Sequence, residues 1–87
     1  MKAMNTKRTA KPRKLHQDDP NGYIVSENYG DDLYHYDTLA RAIQGAKDAV
    51  AEGAKQADVW HAVGEFSVEI DYDLGIEWTV TPEGEGN

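Results

Sequence analysis

Cysteine is absent from this 87-residue chain, which excludes a disulfide framework, thiolate catalysis and a cysteine-bound metal. Long apolar runs are also missing, so the sequence offers neither the apolar stretch of a secretory signal nor a membrane-spanning segment. The first fourteen residues contain no acid. Together these absences predict a soluble protein of the cytoplasm whose interactions depend on charge.

Charge divides the chain into two parts. Six of the nine Lys and Arg residues lie within residues 1–14, which carry a formal charge of +6, and residues 15–87 carry −13. A body this acidic repels phosphate backbones and favours basic surfaces, including the nucleic-acid-binding grooves of other proteins. A free basic arm has the opposite preference.

The length allows one small domain. Such a domain buries only about 60% of the surface that its unfolded chain exposes, so its stability depends on good packing or on association. Residues 1–21 lack apolar periodicity and end in turn-forming residues, which predicts a disordered basic arm and a turn. We therefore expect an arm over 1–21, a single domain over 22–82 and a frayed acidic tail over 83–87.

The first half of the domain predicts a hairpin followed by a helix. Residues 23–27 and 33–36 are rich in aromatic and β-branched side chains on either side of a loop, which is typical of two paired strands. After them, Asp37 or Thr38 can cap a helix that ends at Gly53. Its apolar stripe contains Leu39, Ala42, Ile43, Ala46, Ala49 and Val50.

The second half predicts strands. Residues 58–63 form one, Gly64 is a bulge, a kink or a hairpin turn, and residues 66–73 alternate strictly between apolar and polar side chains. A turn at 73–75 then leads to a last strand that Pro82 ends.

These elements indicate an α+β fold, with one helix on an antiparallel sheet of four or five strands in the order β-β-α-β-β, with or without a fifth strand. The expected core is listed here: Ile24 or Val25, Leu39, Ile43, Val50, Phe66, Val68, Ile70 and Trp78.

The acids of the last two strands are the main candidates for a binding site. We expect five carboxylates to form one patch that meets a basic protein partner: Glu65, Glu69, Asp71, Asp73 and Glu77. Like charges on neighbouring strands reduce stability, so such a patch indicates a partner that neutralises it. The alternative interpretation is a solvated face that keeps the protein soluble.

The basic arm gives a second hypothesis. Its cations could bind nucleic acid in the manner of minor-groove or RNA-binding tails: Lys7, Arg8, Lys11, Arg13 and Lys14. The alternative is a solvated tail with no ligand.

Catalytic and cofactor motifs are weak. The spacing of Asp71, Asp73, Gly75 and Glu77 invites a calcium interpretation, but it lacks the third acid, the span and the flanking helices of an EF-hand. The three histidines are too scattered to predict zinc, and the sequence has neither a nucleophile elbow nor a phosphate-binding loop. We expect no enzyme activity, metal or cofactor.

In size, acidity and element order, residues 22–81 resemble the small proteins that phages and prophages encode, anti-CRISPR inhibitors among them. That resemblance implies a non-enzymatic inhibitor that occupies a nucleic-acid-binding or assembly surface of a bacterial defence complex. The basic arm departs from a pure nucleic-acid mimic, because a basic groove would repel the arm or the arm would have to reach the nucleic acid beside the groove.

The sequence therefore predicts an acidic protein-interaction module in the host cytoplasm, an inhibitor of a nucleic-acid-handling or CRISPR defence complex. Two alternatives remain. One is a homo-oligomeric structural or accessory protein, such as a homodimer, that uses a strand edge. The other is a nucleic-acid binder that uses the arm.

Overall fold

A computed structural model of the chain describes residues 22–64 and 68–87. The predicted arm, including its candidate cations, lies outside these ranges, as do the candidate acid Glu65 and the predicted core residue Phe66. The elements in chain order are β1 (Tyr23–Glu27), β2 (Asp32–Tyr36), α1 (Leu39–Ala51), β3 (Ala57–Val63), β4 (Glu69–Ile70), β5 (Ile76–Thr81) and β6 (Gly84–Gly86).

The sheet is antiparallel and has the order β2-β1-β3-β5-β6, with β4 paired to β3. The α+β class and the single helix packed on the sheet are confirmed. The described residues contain six strands rather than four or five, because the predicted tail contributes the additional strand β6.

Helix α1 begins and ends where its flanking residues dictate. Thr38 is the N-cap, and its hydroxyl accepts a hydrogen bond from the backbone N–H of Arg41 at 3.2 Å. Gly53 follows the helix with a φ of 118°, a left-handed conformation that glycine adopts without a steric penalty. The two predicted boundaries are thus confirmed, with Thr38 rather than Asp37 as the cap.

The main core lies between α1 and the sheet. Because strand side chains alternate between the two faces, Val25, Val59 and Val80 point towards the helix. Small residues line the facing side of the helix, where Ala42, Ala46 and Ala49 are buried. The larger residues Leu39, Ile43, Val50 and Trp78 pack at the margin of this core and are only partly buried.

The predicted long strand over residues 66–73 is corrected by the structure. Only Glu69 and Ile70 form strand β4 in the described part, and residues 71–75 form a loop. Asp71 Oδ1 stabilises this loop by accepting a hydrogen bond from the N–H of Asp73 at 3.1 Å. Two side chains of the expected inward row, Val68 and Ile70, are buried and half-buried, but Tyr72 is 71% exposed.

The predicted pairing of the last strands is also wrong. Strands β4 and β5 are each antiparallel to β3, so they run in the same direction and do not form a hairpin with each other. The 71–75 loop is therefore an excursion between two strands on β3 rather than a chain reversal. A register shift between Val59 and Trp60 marks the place where the pairing of β3 with β5 is irregular.

The last five residues are ordered by pairing, which corrects the expectation of a frayed tail. Strand β6 pairs antiparallel with β5, with Gly84 opposite Thr81 and Gly86 opposite Thr79. The carboxylate of Glu85 accepts a hydrogen bond from Trp78 Nε1 at 3.0 Å and lies 3.3 Å from Lys47 Nζ on the helix. These contacts attach the C-terminus to both layers of the fold.

Among residues 22–64 and 68–87, no helix is both long enough and apolar enough to cross a membrane.

Candidate functional site

The candidate acids of the described ranges occupy different positions around the end of β3. Glu69 and Asp73 are exposed, and Asp71 is half-buried. The backbone N–H of Asp71 donates to the carbonyl oxygen of His61 at 2.8 Å, and Glu77 Oε2 lies 3.0 Å from Nδ1 of the same histidine. His61 thus brings Asp71 and Glu77 to one end of β3, although Asp71 lies in the loop after β4 and Glu77 lies on β5.

His61 also contacts an aromatic ring. Its imidazole lies 5.0 Å from the ring of Tyr23, measured between centroids and tilted by 46°. Tyr23 packs at the margin of the helix-side core, so His61 also lies on that side of the sheet. Glu77, which contacts His61, is therefore directed towards the helix side. Glu77 is half-buried there, so its carboxylate is less available to a partner than those of Glu69 and Asp73.

A feature that the sequence analysis missed lies on the opposite, helix-free face of the sheet. Two adjoining depressions of about 370 and 390 Å³ share Leu33, Ile70 and Tyr72 in their walls. The first depression is also lined by Ser26, Tyr29, Gly30, Asp58 and Trp60. The second is more apolar and is also lined by Ile24, Val63, Val68 and Glu69.

Asp58 is a buried carboxylate in the wall of the first depression, only 5% exposed. Gln56 Nε2 donates to Oδ1 at 3.0 Å and to Oδ2 at 3.2 Å, and Thr79 Oγ1 donates to Oδ1 at 2.8 Å. All of these donors are neutral. A buried carboxylate is usually paired with a cation, since removing a charge from water is costly.

The aromatic walls of the first depression come from separate segments. The 71–75 loop places Tyr72 against Trp60, with ring centroids 5.2 Å apart and the rings inclined by 63°. Tyr29 stands at the other side in the β1–β2 turn and is 74% exposed. Three rings, two exposed and one half-buried, therefore line a depression that contains a buried carboxylate.

Tyr29 is held in an uncommon backbone conformation. Its φ is 60° and that of Asn28 is 53°. Both values lie in the left-handed region, which residues other than Gly, Asn and Asp rarely adopt. The turn is fixed to the loop after α1: Asn28 Oδ1 accepts from the N–H of Lys55 at 2.8 Å, and the Tyr29 hydroxyl donates to Gln56 Oε1 at 2.9 Å. Gln56 therefore connects Tyr29 to Asp58.

The basic residues of the described ranges lie elsewhere. There are three of them against thirteen acids, and none lines either depression. Arg41 Nε is 3.8 Å from Asp37 Oδ1, and Lys47 is paired with Glu85 as described above. Lys55 follows the helix, beside a different depression near the β1–β2 turn.

In the same ranges, no group of three or more His, Asp or Glu side chains is arranged to hold a metal ion. Within the segment from Asp71 to Glu77, Asp71 caps its own loop, whereas Glu77 lies against His61.

Asp58 and its surroundings left only a faint signal in the sequence. An acid that shares an alternating row with Trp60 and Ala62 is unusual on a buried strand. The residues that line the first depression come from three separate segments, 26–33, 58–60 and 70–72, and no local pattern shows that they meet.

No protein-family model, no curated protein and no solved structure matches this chain.

Proposed function

We propose that this protein is a non-enzymatic, acidic interaction module that binds a basic surface on a protein partner. The observation that supports the proposal best is the separation of charge within the folded part. Its three cations lie on α1 or directly after it, whereas the helix-free face and the end of β3 contain carboxylates and apolar side chains without a cation of the described ranges. Such a surface attracts and orients a cationic partner.

The class of partner follows from the same charge. Proteins that handle nucleic acid carry basic grooves, and an acidic domain of this size can cover such a groove. The resemblance in size and acidity to phage-encoded inhibitors implies the same mode of action, so we propose an inhibitor of a nucleic-acid-handling or CRISPR defence complex in the host cytoplasm.

The test uses charge reversal at the two most exposed candidate acids. Glu69→Lys with Asp73→Lys reverses charge without disturbing the loop contact of Asp71 or the His61 contact of Glu77. The control, Glu52→Lys with Glu83→Lys, makes the same change in net charge at exposed positions away from the end of β3. A third variant lacks residues 1–14.

Each variant is immobilised and used to capture proteins from a nuclease-treated bacterial lysate. We expect the wild type, the control and the truncated chain to retain a nucleic-acid-binding protein that free DNA displaces, and the Glu69/Asp73 variant to lose it. Equal loss in the control would show that only net charge matters. Capture that disappears with residues 1–14 or with nuclease would instead support the nucleic-acid-binding alternative.

The homo-oligomer alternative is favoured by one observation, which is that β2 and β6 form the two edges of the main sheet. Light scattering over a range of protein concentrations tests it. A stable dimer that dissociates when Leu33, half-exposed on β2, is changed to Lys would favour this alternative.

A further inference from the structure

The buried carboxylate of Asp58 has an unused acceptor position. A carboxylate oxygen accepts about two hydrogen bonds. Oδ1 already accepts from Gln56 and Thr79, whereas Oδ2 accepts one hydrogen bond from the described residues, at 3.2 Å from Gln56. Because Asp58 lines the first depression, a donor that enters the depression can complete this coordination.

The donor that fits is a cation. Neutral donors form some of the hydrogen bonds that the carboxylate oxygens can accept, but they do not compensate the charge of a side chain that is only 5% exposed. The cations of the described ranges lie on the helix and its following loop, and none of them lines this depression. Lys55 lines a neighbouring depression that also contains Tyr29. A cation supplied from outside would therefore be attracted to the carboxylate and would replace no cation of the described part of the chain.

The walls favour one kind of cation. Trp60 and Tyr72 contact each other edge to face, and Tyr29 lines the same depression from a turn that is hydrogen-bonded to Gln56 and Lys55. A planar guanidinium stacks on aromatic rings and loses less hydration than an ammonium, so aromatic walls around a carboxylate favour arginine over lysine.

We propose that the first depression receives the guanidinium of an arginine of the basic partner, with Asp58 as its counter-ion and Trp60, Tyr72 and Tyr29 as its walls. This assignment rests on the proposed function and specifies the recognised side chain. The second depression, lined by Ile24, Val63 and Val68, adjoins the first and accepts an aliphatic residue next to that arginine.

The test is a titration of the full chain, followed by NMR, with the peptide acetyl-Leu-Arg-Leu-amide. Two probes differ from it only at the central residue, which is lysine in one and citrulline, a neutral analogue of arginine, in the other. We expect the arginine peptide to shift the backbone amide signals of Ser26, Asp58, Trp60 and Tyr72. The lysine peptide binds more weakly, and the citrulline peptide does not bind.

Two variants test the residues themselves. Asp58→Asn retains an acceptor of similar shape and lowers the affinity for the arginine peptide by about ten-fold, the loss expected for one charge-assisted hydrogen bond. Tyr72→Ala removes an exposed ring and lowers the affinity without unfolding the domain. The control Glu83→Gln removes an exposed acid that lines neither depression and leaves the affinity unchanged.

Equal binding of the citrulline peptide, or unchanged binding by Asp58→Asn, overturns the proposal. Shifts confined to Glu69, Asp71 and Glu77 would do the same, since they show a diffuse contact at the end of β3. Tighter binding after deletion of residues 1–14 would identify the chain's own arm as the occupant and overturn the assignment to a partner. Concentration-dependent shifts at the depression without peptide would indicate a second copy, with the same consequence.

Failure of the arginine pocket can be distinguished from failure of the proposed function by comparing the peptide titration with the lysate capture. If the Glu69/Asp73 variant loses the captured partner while the arginine titration fails, the chain binds a basic surface without an arginine pocket. If the titration succeeds and capture fails, the pocket exists but the acids at the end of β3 do not direct the partner.

Discussion

The side chain of Tyr36 occupies the space in which a β-carbon of residue 45 would lie. Gly45 is in the middle of α1 and is buried, and a β-carbon built there would overlap the hydroxyl and ring carbons of Tyr36. The absence of a side chain at Gly45 therefore lets the ring from β2 fit beneath the helix. This contact couples the edge strand to the helix layer.

The first prediction concerns this contact. In an exposed helix, Gly→Ala stabilises by about 1 kcal/mol. We expect Gly45→Ala instead to destabilise by about 1–3 kcal/mol, the usual cost of overpacking. Urea unfolding followed by circular dichroism measures the change.

The control for this prediction is a double variant. Tyr36→Leu removes the ring, so Gly45→Ala added to it should be less harmful than it is in the wild type. Costs that simply add would contradict the steric explanation.

Local patterns predicted the first half of the fold well, because its contacts are local. The hairpin of β1 and β2 is fixed by a short loop, and Thr38 and Gly53 delimit α1 through their own backbone preferences. The arrangement of β4 and β5 was predicted wrongly because alternation determines which way side chains point but not which strand is the neighbour. Both strands pair with β3, and only the three-dimensional contacts show this.

The second prediction tests the helix cap. Thr38→Ala removes the acceptor for the N–H of Arg41, and we expect the free energy of unfolding to fall by about 1 kcal/mol. Thr38→Ser keeps the hydroxyl and should cost at most a few tenths of that. Thermal melts of both variants provide the comparison, and equal losses would show that the methyl group matters rather than the hydroxyl.

The third prediction tests whether β6 contributes to stability. Glu85→Ala removes both the Trp78 hydrogen bond and the Lys47 ion pair. Because the ion pair is partly exposed, we expect a combined cost of only about 0.5–1.5 kcal/mol. Indole fluorescence should report the change at Trp78.

Two further variants separate the parts of this cost. Glu85→Gln retains an acceptor for the indole N–H and should lose less stability than Glu85→Ala. Glu83→Ala lies in the exposed turn before β6 and should be neutral. Equal effects of Glu83→Ala and Glu85→Ala would mean that β6 is held by its backbone alone.

The candidate site was less accessible to sequence reasoning than the fold. The excess of acid was visible as composition, but charge counts do not show that Asp58 faces a depression or that Tyr72 covers Trp60. The predicted row of acids also assumed one regular strand, whereas Asp71 caps a loop and Glu77 lies against His61. Apart from the local cap at Asp71, these are tertiary contacts between segments that the sequence separates by ten or more residues.

The last prediction is that stability and arginine binding respond in opposite ways at Tyr29. The left-handed conformation costs a tyrosine about 1 kcal/mol, which asparagine tolerates better. Tyr29→Phe keeps this strain and loses the hydroxyl donor to Gln56, so we expect it to be less stable than the wild type by about 0.5–1 kcal/mol. Tyr29→Asn relieves the strain and should be at least as stable as Tyr29→Phe.

For binding of the arginine peptide the order reverses, because phenylalanine keeps the aromatic wall and asparagine removes it. Chemical unfolding and peptide titration of the same two preparations measure both quantities. If both variants change stability and affinity in the same order, the strain at Tyr29 has no connection with presenting the ring to a ligand.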